Sequence, residues 1–436
     1  MLYAVGLVVF LSLLQVISSS AILVVIALII IIGYIASAIF RRTRVPELLI
    51  LMLIGIFLVQ IADIIPVNYL EVLSSLAPLF SSLALIVIMF NGSKELNVSD
   101  PALRNWKGIA LGFLDVFISI VVVASFVHYA PWLQWPWIYG IILGTILGET
   151  TNIVVIPFIR KVKLSKEMFG AMFTETALNS LVAIVVFSLL LLFVTHQVVT
   201  PISFASYVLD YLSFAIVMGL IASIAWLFVS NVLTIAREYV ATLAVAILLY
   251  GFVTIFNGAA IISVLIFGVV IGNEALFREI YEKLGIKKQN DKEQGKEEAE
   301  SKDDAKKLKN SNPVGLMEVQ KELEFLISTF FFVFMGMITI LSEQFLIYGL
   351  AIAVLLIISR YAEVRAVLFK NSPGDRRLAF ALLPRGLTVA TLATIVYGMG
   401  GIYFMQTFYI SFMVIVVTAI VSSLMLNRVQ VEVKPQ

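Results

Sequence analysis

The chain has 436 residues, of which 61% are hydrophobic and 13% charged, with a mean hydropathy of +1.04. A water-soluble protein carries about a quarter charged residues, so this composition excludes an ordinary soluble fold. The net charge of +2 gives no basis for a nucleic-acid partner, and the absence of cysteine excludes disulfides, thiolate metal sites and cysteine catalysis. Repeated apolar runs of 18 or more residues instead predict repeated spanning helices. The expected fold is an all-α polytopic membrane protein, and its first partner is the lipid bilayer.

Taken in chain order, residues 2–17 form an apolar segment closed by Ser18–Ser20. It lacks the basic start of a secretion signal, so it is read as an extra N-terminal helix within residues 1–20. Thirteen further helices are predicted near 21–39, 47–65, 70–90, 108–129, 137–159, 167–194, 206–229, 239–256, 259–273, 324–341, 345–369, 378–398 and 403–427. Residues 274–322 read as a charged linker, because "KKQNDKEQGKEEAESKDDAKKLKN" is charge-dense and lacks aromatics. The linker separates a first membrane region, 21–273, from a second, 323–427, with a short tail at 428–436. Its 281–322 part is expected to be poorly ordered.

Basic residues fall in every second loop: Arg41, Arg42 and Arg44, then Lys94, Arg104 and Lys107, then Arg160, Lys161, Lys163 and Lys166. Arg237, the linker, Lys370 with Arg376 and Arg377, and Arg428 continue the series, whereas "PWLQWPW" at 131–137 carries interfacial tryptophans instead. The positive-inside rule then predicts cytoplasmic basic loops, linker and C-terminus, in a multi-pass protein of the cell membrane.

Ionisable residues at membrane depth are costly and mark a pathway or an internal pair. Glu149 lies about twelve residues into its span, near the midplane, and Glu175 about eight into the next, followed by Asn179 and Ser180. Arg360, Glu363 and Arg365 fall in the basic-loop half of the 345–369 helix, and Arg385 in the corresponding half of 378–398. Asp115 is placed about a third of the way into its helix, off the midplane. Gly148, Thr150, Thr151 and Asn152 are poor helix formers clustered mid-span. Such a stretch can unwind where it lines a cavity and offer carbonyls and helix ends to an ion. No cofactor is expected. A conventional enzyme is disfavoured as well, since no nucleophile–base pair, metal cluster or phosphate loop is recognisable.

"FTETALNSLVAIVVF", beginning at Phe173, resembles the sixth-helix motif of cation/proton antiporters related to the eukaryotic sodium/proton exchangers. "RRTRVPELLILMLIGIFL" at 41–58 is similar to the family's second-helix entry, and "MFNGSKEL" at 89–96 to the end of its third helix. "FFFVFMGM" at 330–337 and "PRGLTVA" at 384–390 resemble later signatures, so the likeness runs from about 30 to 425. It implies two inverted six-helix repeats with broken, crossing helices, and a homodimer. It also implies that Glu175 forms a structural ion pair with Arg360.

The sequence departs from that family at three acidic positions. Its Asn-Asp pair reads Asn179-Ser180, its Thr-Asp-Pro reads Thr150-Thr151-Asn152, and its third-helix glutamate reads Asn91. Proton–cation competition needs a group that is anionic with one ion and neutral with the other; a buried carboxylate does this, whereas Ser and Thr do not titrate usefully. Glu149 is the carboxylate still available beside the altered positions. With the oxygens of Thr150, Thr151, Asn179 and Ser180 it could hold a monovalent cation such as Na+ or K+. Arg385, Asp115, Glu363 and Asn91 are further pathway candidates. Three functions stay open: exchange of a monovalent cation for protons, transport of another solute without proton exchange, or a transport-inactive sensor or partner subunit.

Overall fold

The computed structural model describes residues 27, 29–36, 38, 47–61, 70–94, 96, 104–151, 164–196, 201–232, 239–274 and 313–432. The N-terminal segment at 2–17, Asn152 and the linker residues 275–312 lie outside the described residues. The described elements are helices and the turns joining them. They are α1 (Glu47–Ile56), which runs into a π-helical turn at Phe57–Ile61, α2 (Leu70–Lys94), α3 (Trp106–Tyr129), α4 (Trp137–Leu147) and α5 (Lys166–His196). There follow α6 (Pro201–Val232), α7 (Tyr239–Ile255), α8 (Ala260–Gly272), α9 (Pro313–Ile338), α10 (Glu343–Val367), α11 (Pro373–Ala381), α12 (Leu387–Met399) and α13 (Ile402–Glu432).

Six helices contain apolar stretches long enough to cross a bilayer: Ser75–Lys94, Trp106–Tyr129, Lys166–Thr195, Ser206–Ser230, Glu343–Val367 and Ile402–Leu426. Shorter apolar helices accompany them, and two of these explain the functional region. α4 has 11 residues, about 16 Å at 1.5 Å per residue, roughly half of a ~30 Å hydrocarbon core. The helix expected over 137–159 therefore stops at Leu147, and residues 149–151 leave the helical path. The helix expected over 378–398 is likewise divided: α11 ends at Ala381, residues 382–386 are non-helical, and α12 starts at Leu387. Pro384 and Gly386 in "LLPRG" are the local cause, one lacking an amide donor and the other a poor helix former. A third difference concerns α9, which begins at Pro313 instead of near 324, so the last part of the predicted linker is helical.

The described contacts fall into two compact units. The first takes the described residues of Met1–Leu85, Ser99–Ala205 and Leu326–Gln436. Small residues set its helix spacing. A Cβ added at Gly140, Gly144 or Gly148 would lie 2.8 Å from the Val127 side chain, 2.6 Å from Ile120 Cα or 2.9 Å from Val116 Cα, respectively. This four-residue repeat on α4 lets α3 lie against it at backbone distance. Gly108 and Gly112 do the same for α3 on α5, with added Cβ atoms 2.3 Å from Ala171 O and 3.1 Å from Glu175 O. α10 and α13 pack together, and α13 also packs against α11, α12 and α4. At the opposite end from the basic loops, Trp135 is buried, Tyr139 stacks on Tyr403, and His128 Nδ1 lies 2.8 Å from Trp135 O.

The second unit takes the described residues of Ile86–Val98 and Ser206–Phe325. α7 and α8 form a hairpin whose turn uses Asn257 at φ 54°, a conformation asparagine tolerates better than most residues. Leu209, Ile216, Leu220, Ile224 and Phe228 of α6 are exposed, as suits a helix face turned toward lipid acyl chains.

Candidate functional site

The two interruptions meet inside the first unit. Thr151 donates its backbone N–H to Pro384 O at 2.9 Å, so the segment after α4 crosses the segment between α11 and α12. Their approach needs Gly386: a Cβ there would fall 2.4 Å from both Cβ and Oγ1 of Thr151. Breaking a helix in an apolar medium leaves peptide groups without partners, and neighbouring side chains supply them. Asn179 of α5 accepts from Thr150 N–H at 2.9 Å and donates to Gly148 O at 2.8 Å. α13 serves the other break: Thr418 Oγ1 accepts from Arg385 N–H at 3.2 Å, and Ser422 Oγ donates to Ala381 O at 2.7 Å.

Six charged side chains are buried among the described residues, all in this unit: Asp115, Glu149, Glu175, Arg360, Glu363 and Arg385. Arg385 is not on a helix, as its sequence context suggested, but in the extended crossing segment. Its Nη1 and Nη2 donate to Asp115 Oδ2 and Oδ1, both at 3.0 Å. Asp115 Oδ2 also accepts from Asn179 Nδ2 at 2.8 Å. Asp115 therefore belongs to the crossing.

Arg360 Nη1 lies 2.5 Å from Glu175 Oε1, and Arg360 Nη2 donates to Ala379 O at 3.1 Å. Glu363 Oε2 is 3.9 Å from the same Nη1, and neither of its carboxylate oxygens has a hydrogen-bond partner. Arg365, by contrast, is exposed. Glu149 sits in the non-helical stretch after Gly148, wholly buried. Ser180 Oγ donates to its Oε1 at 2.8 Å, while its Oε2 has no hydrogen-bond partner. Thr150 and Thr151 are buried alongside. The crossing thus brings together Glu149, Thr150, Thr151, Asn179, Ser180, Asp115 and Arg385. Asn91 belongs to the second unit, where it accepts from Tyr239 Oη at 3.0 Å and donates to Glu324 at 3.3 Å.

Sequence reasoning did not single out Thr418, Ser422 or Gly386. A proline and a glycine flanking a buried arginine would have pointed to the second break, but hydroxyls on α13 carry no signal of their own. Chemically, both guanidiniums are engaged by Asp115 and Glu175, which leaves Glu149 and Glu363 as surplus acids. An uncompensated carboxylate in such surroundings is tolerable only when a proton or a cation occupies it.

Comparison with known proteins agrees with this architecture. A solved structure of the sodium proton antiporter MjNhaP1 from Methanocaldococcus jannaschii superposes with a TM-score of 0.69, at 20% identity, covering 94% of this chain and 98% of that one. The sodium/hydrogen exchanger 7 of Arabidopsis thaliana is 27% identical over 228 residues, 48% of this chain and 20% of the relative. The K(+)/H(+) antiporter NhaP2 of Shewanella baltica is 23% identical over 239 residues, 53% and 40%. The sodium/hydrogen exchanger 8 of Arabidopsis thaliana is 26% identical over 157 residues, 34% and 21%. The matched segments thus span less than half the length of these curated relatives. The transmembrane sodium/hydrogen exchanger family matches residues 24–431, and the chain belongs to that family.

Proposed function

We propose that the protein is a secondary transporter that exchanges a monovalent cation, Na+ or K+, for protons by alternating access. The observation that carries this reading is the half-satisfied carboxylate of Glu149 at the crossing of two broken helices, with one oxygen held by Ser180 and the other free. A proton or a cation can complete it, but not both. In this reading Glu149 is the exchanged site, and the hydroxyls of Ser180 and Thr151 add oxygen ligands of the kind alkali cations accept. Asn179 was also expected as a cation ligand. Its oxygen and both its amide hydrogens already hold Thr150, Gly148 and Asp115, which favours a clamp on the break. Asp115–Arg385 and Glu175–Arg360 serve as fixed internal pairs.

The chain is a multi-pass membrane protein. The basic loops support a cytoplasmic C-terminus, and the family likeness supports a homodimer in the cell membrane. Names of relatives support both Na+ and K+ as cargo and do not choose between them. The function is tested with purified protein in liposomes carrying a preset pH gradient. Addition of Na+ or K+ is expected to collapse the gradient; a gradient that survives every alkali cation would overturn the reading.

A further inference from the structure

A threonine buried within a helix commonly returns its hydroxyl hydrogen to the carbonyl four residues back. Thr145, Thr176 and Thr394 do so, on Ile141, Met172 and Ala390. Thr388 is placed differently. It is buried in the first turn of α12, and the residue four back is Pro384, in the extended crossing segment. That carbonyl accepts from Thr151 N–H at 2.9 Å. The Thr388 hydroxyl turns instead toward Glu149, close enough to act on its carboxylate, while Glu149 Oε2 keeps no formed hydrogen bond. Two contacts fix where this hydroxyl sits. Gly386 lets the start of α12 lie against Thr151, and Thr391 Oγ1 donates to Thr388 O at 2.8 Å, tying down the turn. Arg385, three residues before Thr388, is engaged by Asp115 and does not take the place beside Glu149.

We infer that Thr388 is a ligand of the transported cation and a determinant of which alkali cation is taken, a role that rests on the exchange reading of Glu149. A hydroxyl both donates and accepts. It can donate to the bare carboxylate, accept from the protonated one, or turn its lone pairs to a cation seated on Glu149. The oxygens around that cation then come from three elements: Glu149 and Thr151 after α4, Ser180 on α5, and Thr388 on α12. Selection between smaller and larger alkali cations depends on the number and spacing of such oxygens. The oxygen from α12 is the one whose spacing is set by the contact between the two breaks.

Thr388→Ala and Thr388→Ser both remove the methyl group, and only the serine keeps the oxygen. Proteoliposome exchange is measured over a range of Na+ and K+ concentrations for both variants and for the isosteric Thr388→Val. Alanine and valine are expected to raise the cation KM about tenfold, the loss of one oxygen contact to a charge. They are also expected to change the ratio of the KM values for Na+ and K+, with kcat nearly unchanged, whereas serine restores both. The alanine–serine pair serves where the valine variant does not fold. Cation binding is read separately, without transport, as the rise in melting temperature on adding NaCl or KCl at alkaline pH, with ionic strength held constant by choline chloride. That rise is expected in the wild type and Thr388→Ser and to shrink in Thr388→Ala. Equal KM values and equal cation-induced stabilisation in Thr388→Ala and Thr388→Ser would overturn the ligand role and leave the proposed function standing. A wild type that exchanges no alkali cation would overturn the proposed function, and the melting arm would then decide Thr388 alone. Stabilisation that needs the hydroxyl keeps the ligand role; stabilisation without it, or none at all, overturns it.

Discussion

Asp115 accepts from both terminal nitrogens of Arg385 and from Asn179, so neutralising it strands a guanidinium where no water replaces the lost partner. Breaking one side of a buried pair costs about 3–5 kcal/mol. Asp115→Asn is therefore expected to lower the unfolding temperature clearly, and an unchanged melting curve would contradict the fixed-pair role. Glu175→Gln is expected to act in the same direction through Arg360. Selective loss of proton coupling with full stability would instead make Glu175 a titrating site. Ser180→Ala differs: it removes one neutral donor to Glu149 Oε1, worth about 1 kcal/mol. It should leave the fold intact while weakening cation affinity, read as a raised KM. Of these residues, the sequence made Glu149, Glu175 and Ser180 visible because polar atoms in a hydrocarbon run need a reason. It put Arg385 on a helix and did not pair it with Asp115, because their partnership joins chain segments 270 residues apart.

The two broken elements depend on a few backbone contacts. The break after α4 was legible, since Gly148, Thr150 and Thr151 cluster in one span. The break before α12 was legible only as a motif, because a single proline and glycine in an otherwise apolar stretch suit a kink as well as an interruption. What periodicity could not reveal is that the breaks touch, which depends on tertiary packing through Thr151 N–H and Pro384 O. Gly386→Ala tests that contact. The new methyl would collide with Thr151, and overpacking of this kind costs about 1–3 kcal/mol. A lower melting temperature and impaired exchange are expected. The Gly386→Ala, Thr151→Gly double variant relieves the clash but also loses the Thr151 hydroxyl, so it should recover the melting temperature and not full exchange. A single variant as stable and active as the wild type would show that the segments do not approach as described.

At the scale of the whole molecule, hydropathy made the all-helical membrane fold plain, and the motif order made its family recognisable. The sequence patterns did not disclose the division of the described contacts into two units, because pairings such as Asn91 with Tyr239 lie far apart in the chain. The central claim is that one carboxylate, Glu149, carries either a proton or a cation through the cycle. Both loaded forms then have the same charge, so transport should not respond to membrane voltage. Proteoliposome flux of wild type and Glu149→Gln, measured with and without an imposed potential, tests this most directly. The account predicts voltage-independent exchange in the wild type and no pH-dependent exchange in a folded Glu149→Gln; undiminished exchange in that variant would contradict it.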